Sequence, residues 1–285
     1  MKISNTKLDL YEQCPAKFKF RYKDNLKGNF TGSALLYGTA IDAALNFVLE
    51  SKRDKLEINQ DKANEIFIDK MNEWNPEINR LDFFKGDLPN PDAPYDENDP
   101  KLWEEIWENL CQRGLNSIDV YIKEVLPEID EVISVQNAGS IKNEEDDEYV
   151  FIVDFIAKMK DGRIVLMDNK TSSAKYPKTK VKKSQQLSLY LENFPDIKHA
   201  GYIVLIKNPD KVGCTHQILI DEIPEETTAD SYDRLEKALG GIKAEIFEPN
   251  LKSCRLYGKT CEYYSKCFYN IDDGLIPAYQ KKKDE

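Results

Sequence analysis

IVLMDNKTSS, residues 164–173, runs four apolar residues into Asp168, Asn169 and Lys170. The β-branched, apolar start reads as a core strand, yet the strand ends on two opposite charges that share one face, because side chains two apart point the same way. A second apolar run, YVFIVDFIAKM (149–159), precedes it and is interrupted by Asp154. Lys160-Asp161-Gly162 lies between the two runs and reads as a tight hairpin turn, which makes them antiparallel neighbours. Asp154 and Asp168 are then expected to converge. Charges inside an apolar hairpin are costly unless they pair or hold an ion. An ion pair of Lys170 with either Asp is one solution. The other is Mg²⁺ or Mn²⁺, hard cations that take carboxylate oxygens, with the Asn169 backbone carbonyl as a third ligand.

Working outward, ALLYGTAIDAALNFVLE (34–50) reads as a largely buried helix, 60–75 as a second, and the stretch from Asp99-Pro100 to Tyr121 as a third. Residues 75–100 are rich in Pro, Asp and Asn and read as a long surface loop. After Pro127 the texture changes to strands: 131–136, the hairpin, 199–208 and 216–223, with helices over 184–194 and 227–247. Helices, then a hairpin, a helix and further strands predict an α/β core with a mixed sheet. The acidic run 143–148 reads as a solvated turn.

Composition excludes several classes. No stretch of about 18 apolar residues is present, so a membrane-spanning helix is not expected. The N-terminus lacks the apolar core of a signal peptide, which predicts a cytoplasmic protein. Six Cys in such a chain are expected as thiols or metal ligands rather than disulfides. A net charge of −11 argues against a generally basic coat for nucleic acid, but leaves room for a local basic site, since charge is screened over about 8 Å. Such a site is offered by Lys175, Lys178, Lys180, Lys182 and Lys183, which leave the hairpin directly with no acid among them. Lysines in this arrangement suit phosphate contacts, which carry affinity without sequence information. Gln186 and Tyr190 follow, four apart on one helix face.

Asp154, Asp168-Asn169-Lys170-Thr171 and Gln186-Leu-Ser-Leu-Tyr190 together resemble the RecB-like branch of the PD-(D/E)XK nuclease superfamily, in order and spacing. The opening Ser4–Tyr22, with Cys14-Pro15 followed by aromatic and basic residues, is similar to that family's N-terminal element. Gly38-Thr-Ala-Ile-Asp42 falls where the family has a Gly-led helix bearing a metal-ligating His. Two departures stand out: Asp42 replaces that His, and Phe151 occupies a position that is often a small Gly.

The resemblance implies a restriction-endonuclease-like mixed sheet flanked by helices, in one domain over residues 1–285. Its parts would be a helical segment (1–126), a catalytic core (127–224) and a C-terminal helix with a Cys segment (225–285). It also implies a metal-dependent DNA nuclease, an exonuclease on single strands or ends, in recombination, repair or phage DNA processing, with a helicase or recombinase as partner. Asp154 and Asp168 would hold Mg²⁺ or Mn²⁺, assisted by Asp42 and the Asn169 carbonyl. Lys170 would position the attacking water, and Gln186 and Tyr190 would support it. Cys14 with Cys254, Cys261 and Cys267 resembles the four-cysteine set that holds a [4Fe–4S] cluster in one branch of the family, although the C-x6-C gap is wider than usual. Zinc accepts four thiolates as well, and unligated buried cysteines are the remaining alternative. Cys111 and Cys214 read as structural thiols. The rival reading is a nuclease-like protein that binds nucleic acid or a recombination partner without cutting.

Overall fold

The computed structural model describes residues 1–73, 80–82, 100–207, 213–256 and 259–279. In chain order it contains β1 (Lys2–Ile3), α1 (Asn5–Gln13), α2 (Pro15–Phe18), a π-helical turn (Lys19–Lys23), β2 (Leu26–Gly28), β3 (Phe30–Gly32), α3 (Ser33–Arg53), α4 (Gln60–Asn72), β4 (Arg80–Asp82) and α5 (Pro100–Val120). A second π-helical turn (Tyr121–Val125) leads to β5 (Ile129–Lys142), β6 (Glu148–Met159) and β7 (Ile164–Ser172). Then come α6 (Gln185–Leu191), β8 (His199–Lys207), β9 (Cys214–Glu222), α7 (Glu225–Lys243), β10 (Arg255–Leu256), β11 (Lys259–Thr260), α8 (Tyr264–Tyr269) and β12 (Leu275–Pro277). The chain divides into two compact units, one of Met1–Phe30, Ser140–Phe151 and Ala229–Glu285, the other of Thr31–Gly139 and Ile152–Thr228.

The larger unit is built on a mixed sheet. β6 and β7 form the antiparallel hairpin expected from the sequence, with Phe155 opposite Met167 and Lys158 opposite Ile164. Gly162 closes it at φ +88°, a conformation that glycine adopts without steric cost. β7 then runs parallel to β8 (Asp168 opposite Tyr202), and β8 antiparallel to β9. β8 is central, and Ala200–Ile206 are buried, as the unbroken apolar run requires. Alternation decides which side chains face which layer. Val165, Met167, Ile203 and Leu205 join the core with Tyr37, Ile41, Leu45 and Val48 of α3 and Phe155 of β6. Burying each aliphatic side chain contributes roughly 1.5–3 kcal/mol. The α/β class and the mixed sheet with flanking helices are as expected.

In the smaller unit β1 lies parallel to the start of β6, and β12 pairs antiparallel with β2. The acidic run is not wholly solvated. Asp147 is buried and ion-paired with Lys243, which, with the Met1 ammonium, holds its carboxyl down to about 2. Phe151 packs its ring 5.8 Å from that of Tyr149.

Several boundaries differ from expectation. α6 stops at Leu191, not 194. α7 starts directly after Pro224 and ends at Lys243, two residues before the left-handed Glu245 at φ +56°. β9 begins at Cys214, two residues before the strand expected from 216. Of the loop expected over 75–100, Arg80–Asp82 is a short strand and the remainder up to residue 99 lies outside the described residues.

Candidate active site

The hairpin brings Asp154 of β6 beside Asp168 of β7. The Asp154 carboxylate accepts the backbone N–H of Asn169 at 2.7 Å. Asp168 is 2% exposed, and its Oδ2 lies 2.5 Å from Lys170 Nζ. The ion-pair solution read from the sequence is therefore present, and among the described residues Asp154 has no ion-pair partner of its own. Burial, and then the charges of Asp168 and Asp42, push the Asp154 carboxyl up to about 8. Burial raises Asp168 as well, against the pull of Lys170. For Lys170, burial favours the neutral amine, but Asp168 and Asp154 outweigh it and the ammonium is held more firmly than usual.

Asp42 reaches the same cluster from α3. Burial lifts its carboxyl first, and Asp168 adds to the lift. Asn46, one turn on, donates to its Oδ2 at 3.3 Å. On α6, Ser184 caps the helix by accepting the Leu187 N–H at 3.1 Å, which sets the phase of the residues behind it. Gln186 then donates to Tyr190 Oη at 2.6 Å and to Asp168 Oδ1 at 3.4 Å. The structure thus gathers Asp42, Asp154, Asp168, Lys170, Gln186 and Tyr190.

The lysine run behaves differently. Lys175, Lys178, Lys180 and Lys183 are exposed, Lys180 lies 5.7 Å from the Tyr176 ring centre, and Lys182 pairs with Asp221 at 3.4 Å.

Three tyrosines belong to this cluster that sequence reasoning passed over. Tyr202 sits opposite Asp168 in the ladder and shares a 2.6 Å hydrogen bond with Ser184 Oγ. Tyr176 makes an edge contact with Tyr202 at 5.8 Å and exchanges two hydrogen bonds with Gln217. Burial raises the hydroxyl of each. Tyr121 is fully buried, and its hydroxyl faces Asn169, within reach of the charges of Asp154 and Asp42; among the described residues neither that hydroxyl nor the Asn169 amide has a well-formed hydrogen bond. A tyrosine in an apolar run looks like core, and only the register of β7 on β8 reveals the role of Tyr202.

Crowded, buried carboxylates of this kind are a ligand set for a hard divalent cation, which needs only one or two of them beside carbonyl and water oxygens. Among the described residues, no three His, Cys, Asp or Glu side chains close into a ready-made metal cage. The residues still fit Mg²⁺ or Mn²⁺ by donor chemistry, because two buried carboxylates share a single compensating ammonium.

The smaller unit holds the other set. Cys14, Cys254, Cys261 and Cys267 are free thiols. Cys14 Sγ accepts the Asn250 N–H at 3.3 Å, and the Cys261 N–H donates to the Cys254 carbonyl at 2.9 Å. Burial raises the Cys267 thiol, and Cys14, Cys254 and Cys261 add to the rise, so these three lie within electrostatic reach of Cys267. Cys111 and Cys214 are half-buried free thiols in the larger unit, raised by burial.

No curated protein matches the chain. The solved structure described as "Crystal structure of SSO0001" is similar over 82% of each chain, at 13% identity and a TM-score of 0.29, a likeness that supports no further statement. The family comparison is more decisive, because it spans the hairpin, the Gln186–Tyr190 helix and the Cys-bearing segment alike. The model of the PD-(D/E)XK nuclease superfamily matches residues 2–268, and the chain belongs to that superfamily.

Proposed function

We propose that this protein is a Mg²⁺- or Mn²⁺-dependent deoxyribonuclease of the RecB-like branch, acting as an exonuclease on single strands or DNA ends. The observation that carries the reading is the buried Asp154–Asp168 pair, with Lys170 2.5 Å from Asp168 and Gln186 behind it. A bound divalent cation would supply the Lewis acidity for water attack on a phosphodiester and would offset the charge that develops there. Asp154, Asp168 and the Asn169 carbonyl would hold it, with Asp42 assisting. Lys170, 2.5 Å from Asp168, would orient the attacking water and stabilise phosphoryl oxygens. Gln186, anchored by Tyr190, keeps Asp168 in place. Lys175, Lys178, Lys180 and Lys183 guide the strand, with Lys182 joining when it leaves Asp221.

Residues 1–285 act on this reading as one nuclease domain of cytoplasmic location, partnered by a helicase or recombinase in DNA processing. Cys14, Cys254, Cys261 and Cys267 would hold a [4Fe–4S] cluster as a structural clamp. What supports this is the electrostatic influence of Cys14, Cys254 and Cys261 on the Cys267 thiol, although no three of them close into a ready-made cage among the described residues. Zinc is the competing occupant.

A second reading, binding without cleavage, is favoured by one observation: Lys170 already occupies Asp168 Oδ2, where a metal must compete. The experiment is cleavage of end-labelled single- and double-stranded DNA by anaerobically purified protein in Mn²⁺, Mg²⁺ or EDTA, beside Lys170→Ala. Metal-dependent shortening that the variant loses is the expected result. Folded protein that binds DNA but cuts none under any metal supports the second reading and ends the first.

A further inference from the structure

The smaller unit carries a basic surface that the carboxylate site does not use. Residues 17–27, KFKFRYKDNLK, hold five basic residues and one acid, a net charge of +4 inside a chain of −11. The cations alternate with Phe18, Phe20 and Tyr22, and several sit on ring faces. Lys7 Nζ is 5.3 Å from the Tyr22 ring centre, Lys23 Nζ 4.6 Å from that of Phe247, and the Arg21 guanidinium 5.7 Å from that of Tyr279. Lys19 and Lys23 are partly neutralised by Asp24 and Glu245. Among the described residues, Lys7, Arg21 and Lys27 form no ion pair with a carboxylate.

Tyr279 is the outward member, 54% exposed. It is nevertheless firmly held. Its N–H donates to Asn25 Oδ1 at 2.8 Å, and Asn25 Nδ2 donates back to its carbonyl at 3.2 Å. Asn25 adopts φ +56°, a left-handed conformation that asparagine tolerates. The adjoining strand β12 is laddered onto β2, with Ile276 opposite Lys27 and Pro277 opposite Leu26. A large exposed ring on a main chain pinned by two hydrogen bonds, with a guanidinium beside it that pairs with no carboxylate among the described residues, is poorly explained by folding alone. Ring and cation together match what an unpaired nucleotide offers, a base face to stack and a phosphate to neutralise. A duplex presents its phosphates but keeps its base faces stacked inside, so the ring selects for a single strand.

We propose that Arg21 and Tyr279, with Lys7 and Lys27, form a binding platform for single-stranded nucleic acid, built from residues other than those of the carboxylate site. Bases stack on Tyr279, and Arg21, Lys7 and Lys27 take the phosphates. The choice of partner rests on the nuclease reading, but the platform concerns binding and is tested without cleavage.

The test is fluorescence anisotropy of end-labelled oligothymidylate with the full chain in EDTA. Tyr279→Ala and Arg21→Ala should each weaken binding about tenfold. Tyr279→Phe, which keeps the stacking face, should bind like wild type. Arg21→Ala should also lower the slope of log K against log salt by about one. Cleavage of a small chromogenic phosphodiester, which has no strand to stack on the ring, should be unchanged by Tyr279→Ala. Binding by Tyr279→Ala equal to wild type overturns the platform, as does a loss shared equally by Tyr279→Phe. Displacement of the strand by an acidic peptide, with no effect of the ring, assigns the surface to a protein partner and overturns it too. Absence of cleavage in every variant refutes the nuclease reading while leaving the anisotropy result to decide this one.

Discussion

Asn169 donates its backbone N–H to the Asp154 carboxylate at 2.7 Å, so the main chain of one hairpin strand orients the acid of the other. In a strand the N–H and C=O of one residue leave along the same edge. The carbonyl expected to serve as a ligand therefore leaves β7 on the flank where Asp154 stands. The acid and the carbonyl are positioned by the same short piece of backbone, and side-chain variation at Asn169 leaves that alignment intact.

Metal-free protein should become less stable as pH rises. The native Asp154 carboxyl is raised to about 8, above the unfolded value near 4. A raised group contributes stability that is complete below the unfolded value and is lost as pH climbs to the native one, so the window is roughly pH 4–8. Mg²⁺ competes for the same proton, and binding at pH 7 should release about one proton per ion. Titration calorimetry in buffers of different ionisation enthalpy reads this directly. A binding heat that ignores the buffer counts against it.

Tyr190→Phe should slow single-turnover cleavage about fivefold, the worth of one hydrogen bond near 1 kcal/mol. Gln186 loses its 2.6 Å anchor and keeps only the longer bond to Asp168. Gln186→Ala should cost a similar amount, and the double variant little more than either, since the two act as a unit. Fully additive losses would show that they act apart.

Asp42→His should shift metal preference. Imidazole suits transition ions better than Mg²⁺ and relieves the crowding of three acids. The ratio of Mn²⁺- to Mg²⁺-supported rates should rise about tenfold. An unchanged ratio removes Asp42 from the metal's surroundings.

Two glycines should respond in opposite directions. A Cβ at Gly201 would meet the Leu219 carbonyl oxygen at 2.5 Å and Met167 Sδ at 2.7 Å, in a central strand that cannot yield. Gly201→Ala should destabilise by about 1–3 kcal/mol or more. At Gly38, within α3, the nearest neighbour is Thr171 Oγ1 at 3.8 Å. Gly38→Ala should stabilise by about 0.5–1 kcal/mol. Urea melts of the two variants rank them, and the reverse order is incompatible with this packing.

The hairpin and its acids were legible because charges interrupt apolar runs on both sides of a turn signal, and few arrangements satisfy that pattern. Gln186 and Tyr190 were legible through helical spacing. Tyr121, Tyr176 and Tyr202 were not, since an aromatic residue in an apolar stretch has the same local signature whether its hydroxyl faces core or site. Asp147 was read as solvated because its partner Lys243 lies almost a hundred residues away, and no local pattern announces such a pairing. The two- and three-residue strands β1, β2, β10, β11 and β12 are too short to show a period. They are fixed by their tertiary neighbours.

The turn at Lys160–Gly162 works as the ruler of this enzyme. One residue added or removed there would slide β6 along β7, and each step of sliding exchanges the two faces of a strand. Asp154 would then be delivered into the layer of Phe155 and Val165, or the hairpin would bulge to prevent it. The site geometry is accordingly protected less by the exposed side chains of Lys160 and Asp161 than by the length of the turn, in which Gly162 supplies the one backbone conformation that requires glycine.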